Sequence, residues 1–208
     1  MVNAKSGRVK GGYAVVNGAT WSSGPVASRE IITIYGSGFD TSATVQFDEV
    51  PAQVLFAGPD QINAIVPDSI TGRSTTALRV MSKGGVALEQ VLPVADVSPG
   101  LFTIESTGRD QAAALNQTNR VNTPADPAAR GSVVALFGTG GGSYSGVSVA
   151  IGGEDARVMY AGNAPEAVNG LMQVNAVIPD SVASGSVSVV LTINGAVSRP
   201  DTVLSVQE

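Results

Sequence analysis

The sequence has 208 residues and a mass of 21.0 kDa, which at about 100 to 200 residues per domain allows one large domain or two small ones. Lys and Arg number 12 against 17 Asp and Glu, and charged residues make up only 14% of the chain, so there is no basic surface to neutralise a phosphate backbone or an anionic membrane; nucleic-acid binding is excluded. With no histidine and no cysteine, imidazole-dependent triads are closed to the chain, as are zinc, haem, iron–sulfur and disulfide chemistry, and no metal or other cofactor is expected.

Residues 1–12 (MVNAKSGRVKGG) are polar and glycine-rich and read as a flexible leader. They lack the apolar core of a signal peptide, and no apolar run anywhere approaches the roughly 20 residues of a membrane-spanning helix. Beyond the leader, 43% hydrophobic residues with 25 glycines and 11 prolines indicate a chain with ample core material that turns often. Strand-like segments follow in order: Ile31 to Gly38, Ala52 to Gly58, Gln61 to Val66, then Ala77 to Met81 and Val86 to Leu92 around Lys83-Gly84-Gly85. The second half offers Val133 to Gly140, Val147 to Ile151 and Ala156 to Tyr160 around Gly152-Gly153, and Gln173 to Ile178. Ser186 to Ile193 is the clearest strand, with Val187, Val189, Leu191 and Ile193 on one face and serine and threonine on the other. Asn194-Gly195 follows at once and predicts a type I′ hairpin, whose two central residues need positive φ. Asp110 to Leu115 is the nearest approach to a helical pattern and is too short to hold one.

The two halves repeat. Gln61-Ile62-Asn63-Ala64-Ile65-Val66-Pro67-Asp68-Ser69 is answered by Gln173-Val174-Asn175-Ala176-Val177-Ile178-Pro179-Asp180-Ser181, Ile31 to Gly38 by Val133 to Gly140, and Ala52 to Gly58 by Ala156 to Gly162. The offset grows from 102 at Gly36/Gly138 to 112 at Gln61/Gln173, which places an insertion at Asn163 to Met172 in the second copy. A boundary near Ser98-Pro99-Gly100 gives domains 13–99 and 100–208, each with about seven short strands in roughly 100 residues, the signature of an immunoglobulin-like sandwich.

Several motifs have a plain and a functional reading. Gly138-Thr139-Gly140-Gly141-Gly142 follows a strand, but position 143 is serine and no helix follows, so it reads as a tight turn and not a phosphate loop. Gln61 and Asn63, like Gln173 and Asn175, share the polar face of a strand; recurring in both copies, they read as a device of the fold, bonding loop backbone groups, with ligand binding as the alternative. Asp48-Glu49 and Glu154-Asp155 read as solvated hairpin tips at equivalent places, and no calcium-loop spacing is present. Residues unique to one copy are the better candidates for a ligand site: Trp21, Tyr144, and Asn163 and Asn169 of the insertion. For Trp21 the competing assignment is a core or domain-interface anchor. No catalytic residue is identified; a Ser-Lys dyad fits poorly because Lys5, Lys10 and Lys83 are the only lysines and two lie in the leader. Lys83 or Lys10 remains open for a covalent Lys–Asn bridge, which an intact mass lower by one ammonia would show.

The pattern resembles a known family, the tandem module at the C-terminal end of large exported acidobacterial proteins of the Solibacter type. The likeness is carried by Gly24-Pro25-Val26-Ala27, Ile31 to Gly36, Gln61-Ile62-Asn63-Ala64 with Val66-Pro67, and Pro99-Gly100-Leu101-Phe102-Thr103. In the second half it is carried by Gln111 to Asn116, Asn122 with Pro124, Pro127 to Ser132, and Gln173-Val174-Asn175. That resemblance covers the chain from about Tyr13 onward. It implies an all-β chain of two tandem immunoglobulin-like (IPT/TIG-like) β-sandwich domains, export to the cell surface or the extracellular space, and no enzymatic activity. The chain is short after Gly140, where relatives often carry a longer insertion, so Gly142 to Gly146 reads as a trimmed loop.

The functional expectation is a non-catalytic adhesion or spacer module whose partners are proteins or glycans at the cell surface. Two alternatives stand beside it. One is a carbohydrate-binding module using exposed aromatics; the other is self-association through an edge strand or the leader.

Overall fold

The computed structural model describes residues 12–208, and the chain is all-β: two tandem immunoglobulin-like sandwiches with one 3₁₀ turn, Asp68–Ile70. The leader invoked for self-association lies almost wholly outside the described residues, as does Lys10. In the first sandwich β1 (Ala14–Asn17), β2 (Ile31–Tyr35), β5 (Gln53–Ala57) and β6 (Gln61–Ile65) form a sheet of order β1-β2-β6-β5. It packs on a second sheet, order β4-β3-β7-β8, built from β3 (Thr44–Phe47), β4 (Val50–Pro51), β7 (Thr75–Ser82) and β8 (Gly85–Pro93). Alternation puts Ile32, Ile34, Ile62 and Ala64 inward against Val45, Phe47, Leu78 and Val80, all at most 1% exposed.

The second sandwich repeats the plan. One sheet has the order β11-β13-β17-β16, from β11 (Ala114–Asn116), β13 (Val133–Thr139), β16 (Val158–Asn163) and β17 (Met172–Val177), with β9 (Gly100–Leu101) also on β13. The other has the order β10-β20-β18-β14-β15, from β10 (Asp110–Gln111), β14 (Val147–Ile151), β15 (Glu154–Ala156), β18 (Gly185–Ile193) and β20 (Thr202–Gln207). Two short strands complete it, β12 (Ala128–Ala129) on β20 and β19 (Ala196–Val197) on β18. The two cores are separate clusters, one drawn from Val15 to Leu92 and the other from Leu101 to Val206. Even the irregularity is repeated, since β5 has a bulge between Val54 and Phe56 and β16 one between Val158 and Tyr160.

The hairpins follow local chemistry. Asn194 and Gly195 take φ values of 47° and 80°, closing β18 onto β19 as the type I′ turn requires. The Lys83 turn uses two residues, Lys83 and Gly84, with Gly85 already paired to Ser82 in the strand. The segment expected to run as one strand from Ala156 to Tyr160 is divided at Arg157: Glu154–Ala156 pairs with β14, whereas Val158 onward pairs with β17 in the opposite sheet. Asp48-Glu49 is equivalent to the Gly152-Gly153 turn and not to Glu154-Asp155, because all four turn residues have positive φ. Asp48 is also more than a solvated tip. Its carboxylate accepts from Thr76 Oγ1 at 2.6 Å and from the Ala77 amide at 2.9 Å, and these bonds, with Arg73 nearby, hold its pKa below the usual aspartate range.

The Asn-to-Pro segments before β2 and β13 are braced by buried amides. Asn122, 0% exposed, donates to Asn116 Oδ1 and Ser205 O, both at 2.8 Å, and accepts from Gln111 Nε2 at 2.7 Å and the Ser205 amide at 2.8 Å. Every polar atom of that side chain is therefore used, which links the segment to β20. Asn122→Leu should leave the buried Ser205 amide and Asn116 oxygen unpaired and lower stability by about 2–4 kcal/mol; denaturant titration would measure it, and a loss under about 0.5 kcal/mol, the scatter of an ordinary surface substitution, would refute it.

Candidate functional site

The glycine-rich stretch Gly138 to Gly142 is the seam between the sandwiches. A Cβ on Gly138 would strike the Gly100 carbonyl, one on Gly140 the Ser98 carbonyl, and one on Gly142 the Asp96 carbonyl, so backbone lies directly on backbone. Gly140 also has φ 78°, and its carbonyl accepts from the Ser98 amide at 2.8 Å. The stretch does leave a strand as a turn, as expected, but its glycine content answers to the linker Asp96 to Gly100 passing over it.

Thr139, 0% exposed, fastens the ends of two sheets. Its Oγ1 accepts from the Ile31 amide at the start of β2 at 2.7 Å and donates to Gly170 O of the insertion at 2.8 Å. Asn17 caps its own turn through the Ala19 and Thr20 amides and reaches across with Nδ2 to Ser98 O at 2.9 Å. Arg199, paired with Asp201, extends Nη1 to Thr20 O at 3.4 Å.

Beside this seam Glu30 is 1% exposed, its carboxylate accepting from the Ala27 amide at 2.7 Å, with Ser98 Oγ at 3.2 Å. Loss of hydration outweighs those hydrogen bonds and pushes its pKa up to about 8. Sequence reasoning missed Glu30; the acid followed by Ile-Ile at the head of a buried strand was the available signal. It borders a cleft of about 290 Å³ between the 20–26 loop, the linker and the β19 hairpin, with Val197 and Arg199 on the far wall.

The four expected ligand residues are placed unequally. Trp21 is half-buried, has φ 60°, and stacks on Tyr35 with ring centroids 5.5 Å apart, at the far end of β2 from the other three. Tyr144, with φ 57°, lies over Gly141 and donates from its hydroxyl to Asn163 Oδ1 at 2.5 Å. Partial burial raises its pKa, so the phenol stays neutral and a donor. The carbonyl of Asn163 accepts from Tyr160 at 2.6 Å. Asn163 pairs with Met172 in the ladder, so the insertion protrudes as residues 164–171 and carries Asn169 over a shallow pocket of about 160 Å³. Gln53, Arg29 and Asp68 of the first sandwich form its other side. Arg29 holds Asp68 through Nε at 2.8 Å and Nη2 at 3.0 Å, and that bond raises the arginine pKa further. Tyr144, Asn163 and Asn169 thus gather at the junction around a first-domain ion pair that no single-copy scan of the sequence could have placed there.

Lys83 lies exposed at its hairpin turn, its amide on Asp40 Oδ2 at 3.2 Å, a setting opposite to the buried lysine that a spontaneous amide bridge requires. Among the described residues, no cluster of three or more acids stands together in metal-binding geometry, and no helix is long and apolar enough to cross a membrane.

The architecture defines a tandem of immunoglobulin-like sandwiches. A family model described as the IPT/TIG domain matches residues 14–91, which lie within the first sandwich. No curated protein matches the sequence. Among solved structures, the plexin A4 extracellular region is similar at 14% identity and a TM-score of 0.33, over 93% of this chain and 18% of that one. A surface protein of the Bacteroides ovatus mixed-linkage glucan utilization locus, solved with a mixed-linkage heptasaccharide, is similar at 11% identity and a TM-score of 0.40, over 88% of this chain and 43% of that one. The titin I9–I11 tandem follows at 9% and 0.28, over 93% and 65%. The chain spans less than a fifth of the plexin ectodomain and less than half of the Bacteroides protein.

Glu30 has a pH signature. Its folded pKa of about 8 lies above its ordinary value of 4.5, so between those values the unfolded chain binds fewer protons than the folded one. Stability should be full below about pH 4.5, fall by a few kcal/mol toward pH 8, and then level off. Glu30→Gln should remove that slope in denaturant titrations at stepped pH; an unchanged slope in the variant would assign it elsewhere.

Proposed function

We propose that this chain is a non-catalytic interaction and spacer module of an exported or cell-surface protein, in which two sandwiches bounded near residues 99 and 100 are held as one short rod. The observation that carries it is Thr139, whose buried hydroxyl joins the end of β13 and the insertion of one sandwich to the start of β2 in the other while the linker lies flat on Gly138 to Gly142. Flexibly tethered domains keep polar linkers clear of both neighbours, whereas here a substitution as small as a methyl group would part them. Descent from the acidobacterial type of tandem module agrees with the motifs along both halves and rests on them alone.

If the rod is the functional object, the wild type should unfold calorimetrically in one cooperative transition and scatter X-rays as a single elongated particle. Thr139→Val with Gly140→Val should split the melting into two transitions and broaden the distance distribution. Two independent transitions in the wild type would defeat the rigid-spacer reading.

Carbohydrate binding is a second reading, favoured by the meeting of Tyr144, Asn163 and Asn169 with Gln53 and the Arg29–Asp68 pair, where amides and a planar ion pair offer both donors and acceptors to hydroxyls. Tyr144→Ala should then abolish retention on a glycan array while shifting the melting temperature by only a few degrees; array binding that persists in the variant moves any glycan site away from the junction.

A further inference from the structure

The outer face of the first sheet in each sandwich carries a pattern found in both copies. In the first, Tyr35, Gln61, Asn63 and Phe56 lie across three adjacent strands: Tyr35 pairs with Gln61, and Asn63 pairs with Phe56. In the second, Phe137 pairs with Gln173 and Asn175 with Tyr160, so an aromatic, two amides and a second aromatic recur in the same order. Directly paired residues point to the same side of a sheet, and the inward positions are taken by the core, so each set forms one outward stripe.

Three features set these stripes apart from ordinary surface. First, the amides are fixed in advance: Gln61 Nε2 donates to Asn63 Oδ1 at 2.9 Å and Gln173 Nε2 to Asn175 Oδ1 at 2.8 Å, which corrects the expectation that they serve loop backbone. Each pair remains half-buried, with an acceptor on Gln and a donor on Asn left over. Second, the outer aromatics are exposed, Phe56 at 52% and Tyr160 at 39%, and each is placed by a bulge one residue earlier and lies against a glycine two residues later, Gly58 or Gly162, where a Cβ would touch the ring. A flat ring is thereby held against the strand it belongs to. Third, in the first copy Tyr35 is itself only 2% exposed beneath the half-buried Trp21, so Trp21 stands in its place as the ring at that end of the stripe.

We propose that these two stripes bind one neutral polysaccharide chain. This rests on the carbohydrate reading and moves its main contacts from the junction loop to the sheet faces. Exposed ring faces accept the C–H surface of a sugar, and the fixed amides offer a donor and an acceptor to its hydroxyls without losing side-chain freedom on binding. Stripe residues carry no charge, and Asp60 at the rim of the first, on a chain of net charge −5, disfavours an anionic polymer. Repetition selects a repeating ligand. The two sheets abut end to end where the Ile31 amide meets Thr139, and counting about 3.3 Å per residue from Asn63 to that seam and on to Gln173 puts the amide pairs on the order of 20 Å apart. A linear glycan can engage both, and its avidity would depend on the rigid junction.

The test is affinity electrophoresis and calorimetry of the full chain against neutral soluble polysaccharides (mixed-linkage β-glucan, xylan and galactomannan), with polygalacturonate as the anionic control. The wild type should bind at least one neutral polymer and not the anionic one. Phe56→Ala and Tyr160→Ala should each weaken binding about tenfold or more, and together abolish it, with melting temperatures near wild type because both rings are exposed. Gln173→Ala should act in the same direction without removing a ring. Glycan binding that is lost in Tyr144→Ala but intact in the Phe56 and Tyr160 variants overturns the stripe assignment while leaving the carbohydrate reading standing. No binding to any polysaccharide overturns both, whereas equal binding to polygalacturonate overturns the neutral-ligand proposal and leaves the carbohydrate reading standing; stripes that instead retain a peptide ligand, with no polysaccharide bound, overturn the proposal in favour of a protein partner.

Discussion

Close backbone contact at the domain seam is the constraint on which the molecule depends. A β-sandwich satisfies its own core, and two in sequence have no inherent reason to hold a fixed relation. Here the relation is set because Gly138, Gly140 and Gly142 admit the linker carbonyls where any side chain would exclude them, and Thr139 then supplies the bond between sheets. Around that contact the chain buries Glu30, a choice unfavourable to an ionised carboxylate and tolerable because the Ala27 amide and Ser98 hydroxyl are in place.

The same seam organises everything that resembles a binding feature. The insertion of the second copy is anchored through Gly170, which passes close to the Arg29 carbonyl and the side chains of Ile31 and Ile65, so its loop leans on the first sandwich. Tyr144, Asn163 and Asn169 are carried to the junction in consequence. A fixed junction is also what would let two weak and separate surfaces act on one polymer, since effective concentration depends on geometry that does not wander.

Edge management is consistent with this picture. The bulges in β5 and β16 leave Leu55 and Met159 unpaired at the outer edge of each sheet and interrupt the ladder there, a known obstacle to continuous strand addition. Self-association through those edges would have to overcome both, while ring faces beside them stay open to a ligand that needs no backbone pairing.

By itself the sequence determined the class and repetition of the fold. Alternation in Ser186 to Ile193, the Asn194-Gly195 turn and the echo of Gln61 to Ser69 in Gln173 to Ser181 are local signals, and local signals survive in one dimension. Its lack of histidine and cysteine was equally plain there, because composition needs no geometry. Tertiary structure alone decided the strand that changes sheets at Arg157, the meaning of the glycine-rich stretch, the burial of Glu30 and the partners of Tyr144. These depend on contacts between segments the sequence keeps apart, 19 residues for Tyr144 and Asn163, 68 for Glu30 and Ser98 and 108 for Ile31 and Thr139, and no periodicity reports such a contact.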